Sequence, residues 1–75
     1  MDALKLLRMA EQIAANVTVS HDVNVVAERT ADHLVRFWDP RMRADLLAYV
    51  DSVGPELSAS VQGAVERLRE ATANR

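Results

Sequence analysis

The sequence has no cysteine, which removes disulfides, thiolate metal sites and iron–sulfur ligation together. Its two histidines, His21 and His33, are too few for a structural zinc site without thiols. Lysine occurs once, at Lys5, and the aromatics are Phe37, Trp38 and Tyr49 alone. No apolar run approaches the roughly 20 residues needed to span a bilayer. The start, Met1-Asp2-Ala3-Leu4-Lys5, lacks the basic and apolar regions of a signal peptide, so a cytoplasmic protein without membrane contact is expected. A basic balance is also missing. The net charge is −2 and the pI about 5.5, which argues against a nucleic-acid binder, since such a protein normally presents a basic face.

With 75 residues, the chain is read as a single helical domain, 1–75. A domain this short buries only about 60% of the surface its unfolded chain exposes. Below roughly 70–80 residues a staple is usual: disulfides, a metal or a partner. With the first two excluded, the readings that remain are a partner surface and a small bundle that folds unaided. Alanine makes up about a third of the apolar residues, so the core must come from Leu, Val, Ile, Met and the aromatics.

What is present is helical spacing. Asp2 caps a first segment, about 2–16, whose apolar positions Ala3, Leu6, Leu7, Ala10, Ile13, Ala14 and Val17 fall on one face, with Leu4 and Met9 off it. Asn16 to Ser20 reads as a loop. Ser20 or Asp22 caps a second segment, about 22–38, striped by Val23, Val26, Ala27, Thr30, Ala31, Leu34 and either Phe37 or Trp38. Asp32 and Arg36 stand in the acid-first order that favours a helical ion pair. Asp39-Pro40 ends that helix and starts the next at once, because the residue before proline avoids the α region while proline suits the first helical position. A third segment, about 40–52, carries Met42, Leu46, Leu47 and Val50, bordered by Tyr49 and Val53. Gly54 ends it in the left-handed conformation. Pro55 is expected to open a fourth segment, about 55–71, with Gly63 tolerated in its middle and a fraying tail from Thr72. The fold expected is all-α, a compact antiparallel bundle of four short helices.

No catalytic set holds up. A Gly-rich phosphate loop, an H-E-x-x-H motif and a cysteine nucleophile are all missing. Ser20-His21-Asp22 is a capping turn, because adjacent residues do not converge on one site. A bundle of this size hardly encloses a pocket of several hundred Å³, so the chain is read as no enzyme on its own. Arg36, Arg41 and Arg43 surround the aromatic pair, with Arg29 further back. Arg and Trp dominate protein–protein hot spots, and Arg pairs bidentately with carboxylates. Trp38, Arg41 and Arg43 are therefore expected to form an anchoring patch, joined by Arg36 and by His33. The bland alternative has Phe37 and Trp38 closing the core, the arginines pairing with Asp39 and Asp45, and His33 as a partly buried helix histidine. Of the two aromatics, Phe37 is expected in the core.

Two motifs carry a family likeness. Leu7-Arg8-Met9-Ala10-Glu11-Gln12-Ile13 is similar to an L-x-x-M-A-x-Q-I pattern, and His33-Leu34-Val35-Arg36-Phe37-Trp38-Asp39-Pro40-Arg41-Met42-Arg43 resembles H-[ILV]-x-x-F-W-x-P-R-M-R. Both belong to the delta subunits of soluble NAD-dependent formate dehydrogenases, and the likeness covers roughly residues 4–68. Where that family has aromatics just after Q-I, this chain has Ala15-Asn16-Val17. The resemblance implies a small accessory subunit of a molybdenum or tungsten enzyme. The larger subunits would hold the bis-pterin metal centre, iron–sulfur clusters and FMN, and would pass electrons from formate to NAD. The delta subunit would bind no cofactor and would stabilise the enzyme by docking on the large catalytic subunit, and through it on the iron–sulfur and flavin subunits. Alternatives are a maturation chaperone assisting cofactor insertion into that subunit and a helix-turn-helix nucleic-acid binder. A self-associating bundle is a further one, since an isolated chain can cover its docking face by pairing.

Overall fold

The computed structural model describes residues 2–17 and 20–73. It contains four helices, α1 (Ala3–Ala15), α2 (Val23–Phe37), α3 (Pro40–Val53) and α4 (Ala59–Ala73). They form the all-α bundle that the apolar spacing predicts, with no strand among the described residues. The expected loop includes Thr18 and Val19, and the expected fraying tail includes Asn74 and Arg75. Those four lie outside the described residues.

Three of the helix starts are built by aspartate. The Asp2 carboxylate accepts from the Leu4 N–H at 3.0 Å, Asp22 from Asn24 at 2.8 Å and Asp39 from Met42 at 2.8 Å. Each satisfies a first-turn amide that has no partner inside its own helix. Ser20 sits one step outside its helix, its Oγ accepting from the Asp22 N–H at 3.0 Å, so of the two candidate caps Asp22 is the cap. Pro40 occupies the first turn of α3, as the Asp-Pro pair requires.

The fourth helix departs from expectation. It starts at Ala59, not Pro55. Ser58 is the cap, its Oγ accepting from the Val61 N–H at 3.2 Å and its carbonyl from the Gln62 N–H at 2.9 Å. A contact across the fold holds this cap, for the Glu11 carboxylate of α1 accepts from the Ser58 N–H at 3.0 Å. Residues 54–58 form the connector, with Leu57 packed on the core. Gly54 closes α3 at φ 64° and ψ 48°, its N–H reaching the Val50 carbonyl at 3.0 Å. A Cβ there meets no atom within 4 Å, so only the backbone conformation resists substitution. Gly54→Ala is expected to destabilise by about 1 kcal/mol in urea unfolding, the cost of placing a Cβ in the left-handed region.

The core is centred on Leu6, Leu34, Trp38, Leu46, Val61 and Leu68. The most extensive helix pair is α2 with α4. On this pair's buried faces the residues are small: Ala27, Thr30 and Ala31 from α2, Gly63 and Ala64 from α4. Thr30 is fully buried, but its hydroxyl donates to the Val26 carbonyl of its own helix at 2.8 Å, so no polar group is stranded. Gly63 is not an incidental glycine, as the sequence reading had it. A Cβ built on it would stand 2.8 Å from the Ala27 Cβ.

The aromatic pair is reversed from expectation. Trp38 is 5% exposed and Phe37 is 69% exposed. Phe37 is still helical, at the edge of the α2 stripe. Trp38 is the C-cap and has left the helix (φ −94°, ψ 141°), so the corner, not the 3.6-residue period, aims its indole inward. Val23 and Val53, counted on or beside apolar stripes, are exposed as well.

Candidate partner-binding face

With Val26, Ala27, Thr30, Ala31 and Leu34 turned to the core, α2 leaves Arg29, Asp32, His33, Arg36 and Phe37 outside. Arg29, His33 and Phe37 follow one another at steps of four, so they line up along one side of the helix. The His33 and Phe37 rings lie 4.7 Å apart, tilted by 44°. Together with Asp32 and Arg36, these three line a shallow open depression. A neighbouring depression, lined by Asp32, Val35 and Arg36, continues the face, and Val35 is itself exposed. His33 is thus a surface residue, where a partly buried helix histidine was expected.

The corner between α2 and α3 divides the remaining arginines. Arg43 turns inward. One guanidinium nitrogen donates to the carbonyls of Leu34 at 3.4 Å, Val35 at 3.1 Å and Trp38 at 2.5 Å. These carbonyls end α2 and carry the negative end of its dipole, so a cation there both satisfies and neutralises them. Arg43 is therefore occupied in joining α3 to α2. Arg41 is exposed and lines a third shallow surface with Asp39, Met42 and Asp45.

Charge pairing on this side is sparse. Among the described residues the ion pair is Arg69–Asp51, at 2.8 Å between α4 and α3. The expected Asp32–Arg36 pair does not close, nor do pairs of the corner arginines with Asp39 or Asp45. Asp39 is occupied as the helix cap. Arg29, Arg36 and Arg41 have no carboxylate partner among the described residues.

The hydrogen bond from Arg69 holds the Asp51 carboxyl below the usual carboxylate range, and the same bond raises Arg69. A carboxyl whose folded value is depressed contributes stability above its unfolded value and loses it as pH falls through the folded one. The pair is solvent-exposed, so that contribution is small. Asp51→Asn is expected to lower the urea midpoint slightly at neutral pH. The difference from wild type should vanish in acid, where Asp51 is protonated in both folded and unfolded chains.

Of the five residues expected to bind a partner, His33, Arg36 and Arg41 lie on the surface, while Trp38 and Arg43 are built into the corner. Phe37 and Arg29 were the residues misjudged. Their step-of-four relation to His33 was visible in the sequence, but the assignment of Phe37 to the core concealed it. Among the described residues, no group of three His, Cys, Asp or Glu side chains could hold a metal ion, and no helix is long and apolar enough to cross a membrane.

The chain was compared with known proteins. The family model described as NADH-dependent formate dehydrogenase delta subunit FdsD matches residues 5–65. No curated protein and no solved structure matches.

Proposed function

The chain belongs to the family of NADH-dependent formate dehydrogenase delta subunits, and from that premise we propose that it is a non-catalytic accessory subunit acting in the cytoplasm. It docks on the large catalytic subunit and stabilises the assembled enzyme. The observation that carries the reading is the family match, which runs from α1 into α4. The chemistry of the chain agrees with it. Without cysteine there is no thiolate for an iron–sulfur cluster. The molybdenum or tungsten bis-pterin centre, the iron–sulfur clusters and FMN are assigned to the other subunits. The exposed Phe37, His33, Arg36 and Arg41 supply side chains of the kind that anchor protein interfaces.

The test is purification of the enzyme from its native host, with and without this chain. The expected result is recovery of the chain in fixed proportion with active enzyme, and a lower thermal stability of the complex when the chain is missing. Recovery only with enzyme lacking its metal centre would identify a maturation chaperone and overturn the proposal.

A second expectation separates the two arginines. Arg41→Ala should weaken association with the catalytic subunit at unchanged helix content, because the side chain is exposed and unpaired. Arg43→Ala should lower the unfolding midpoint of the isolated chain, by roughly 1–3 kcal/mol, the cost of stranding partly buried carbonyls. Circular dichroism during urea titration reads both.

A further inference from the structure

We infer that the outer face of α2 is the docking element, with Phe37 as the plug that enters an apolar socket on the enzyme's catalytic subunit and Arg29 and Arg36 meeting carboxylates on the socket rim. The inference rests on the accessory-subunit reading and adds which surface is used and what chemistry it meets.

Three observations carry it. First, the chain buries the larger of two adjacent aromatics and leaves the other outside, Phe37 at 69% exposed beside Trp38 at 5%. A lone aromatic this exposed, with Val35 on the same side of the helix, is apolar surface without an occupant in the isolated chain. Second, the Phe37 ring already leans on His33 at 4.7 Å. A ring restrained before docking loses less conformational freedom on docking.

Third, charge is segregated. Residues 29–43 hold four arginines and two aspartates, a local excess of positive charge in a chain whose net is −2. Arg43 and Asp39 are occupied in building the corner, and Arg29 and Arg36 have no carboxylate of their own. A cationic face on an acidic molecule selects an acidic partner surface, and guanidinium matches carboxylate bidentately.

The same charge pattern disfavours other occupants. Two copies meeting face to face about a two-fold axis would bring the arginines together. A nucleic acid would gain from Arg29 and Arg36 but would be repelled by the acidic excess over the remainder of the chain.

The test uses the full chain and the enzyme complex prepared without it, with affinity read by calorimetry. Phe37→Ala is expected to weaken binding by about 30-fold, the scale of an interface hot spot. Arg29→Glu/Arg36→Glu is expected to weaken it at least about tenfold at low salt, with the deficit shrinking as salt rises. Val53→Ser, on an exposed apolar residue of α3, is the control and should bind as wild type does. Unchanged helix content and unfolding midpoints in all variants exclude a folding effect. If wild type binds and both face variants bind equally well, the docking face is wrong while the subunit reading stands. If wild type fails to bind, the subunit reading falls and the inference with it. A homodimer of the isolated chain that Phe37→Ala dissolves, with affinity for the enzyme unchanged, would make a second copy the occupant and overturn the inference.

Discussion

Trp38→Ala is expected to leave the isolated chain largely unfolded at room temperature, while Phe37→Ala one residue earlier leaves it almost untouched. Trp38 is 5% exposed and packs in the cluster that includes Leu34 of α2 and Leu46 of α3. Truncating a buried tryptophan to alanine costs about 3–5 kcal/mol. At roughly 0.05–0.15 kcal/mol per residue, a chain of this length has about 4–11 kcal/mol in all. The loss therefore takes a large share of the stability, and it falls where α2 hands over to α3. The carbonyl of Trp38 also receives Arg43, so a collapsed corner releases that bond too. Urea titration followed by far-ultraviolet circular dichroism is the measurement, since the substitution removes the chain's one tryptophan as a fluorescent probe. Trp38→Phe keeps an aromatic in the site and should lose markedly less. Phe37→Ala should lie within about 0.5 kcal/mol of wild type, as exposed substitutions usually do. A wild-type midpoint for Trp38→Ala would show that the corner is not a load point of the fold.

That contrast also marks how far the sequence could be read. The helices were legible because apolar residues recur at steps of three and four. Their starts were legible where aspartate precedes the stripe, at Asp2, Asp22 and Asp39. The order of burial at Phe37 and Trp38 was not, because helical period stops informing a residue once the backbone leaves the helix. The start of α4 offered two local signals, Pro55 and Ser58. What holds Ser58 in place is Glu11, far away in the chain, and no local rule contains that contact. Arg43 had carboxylates near it in sequence, Asp39 and Asp45, yet it bonds the exposed carbonyls at the end of α2. Those carbonyls exist as a target only after the helix has formed and the corner has turned. At the candidate site, Arg36, Arg41 and His33 were legible by residue type. Phe37 was hidden by the reasonable rule that large aromatics go inside.

Gly63 was the other misreading, and it leads to the second large effect. In most helices Gly→Ala gains about 1 kcal/mol from propensity alone. Here the new Cβ would lie 2.8 Å from the Ala27 Cβ, well inside the roughly 3.5–4.0 Å at which carbon atoms rest. Neither atom ends a flexible side chain, so α2 and α4 must move apart along the most extensive interface of the bundle. Overpacking of this kind costs about 1–3 kcal/mol, so Gly63→Ala should be net destabilising despite its better propensity. Gly63→Leu should be far worse and abolish cooperative unfolding. Transferring the methyl group restores the fit: in Ala27→Gly/Gly63→Ala the clash is gone, and the double variant should be more stable than the sum of the two single changes by about 1–3 kcal/mol, the coupling expected of residues in contact. Urea midpoints of the four proteins close the cycle. A Gly63→Ala chain about 1 kcal/mol more stable than wild type would mean that the helices do not approach this closely. The cycle bears on function as well, because α2 lies between this interface and the Phe37–His33 side. The swapped pair should keep both the fold and the affinity for the enzyme, whereas Gly63→Ala, by shifting α2, should lose part of each.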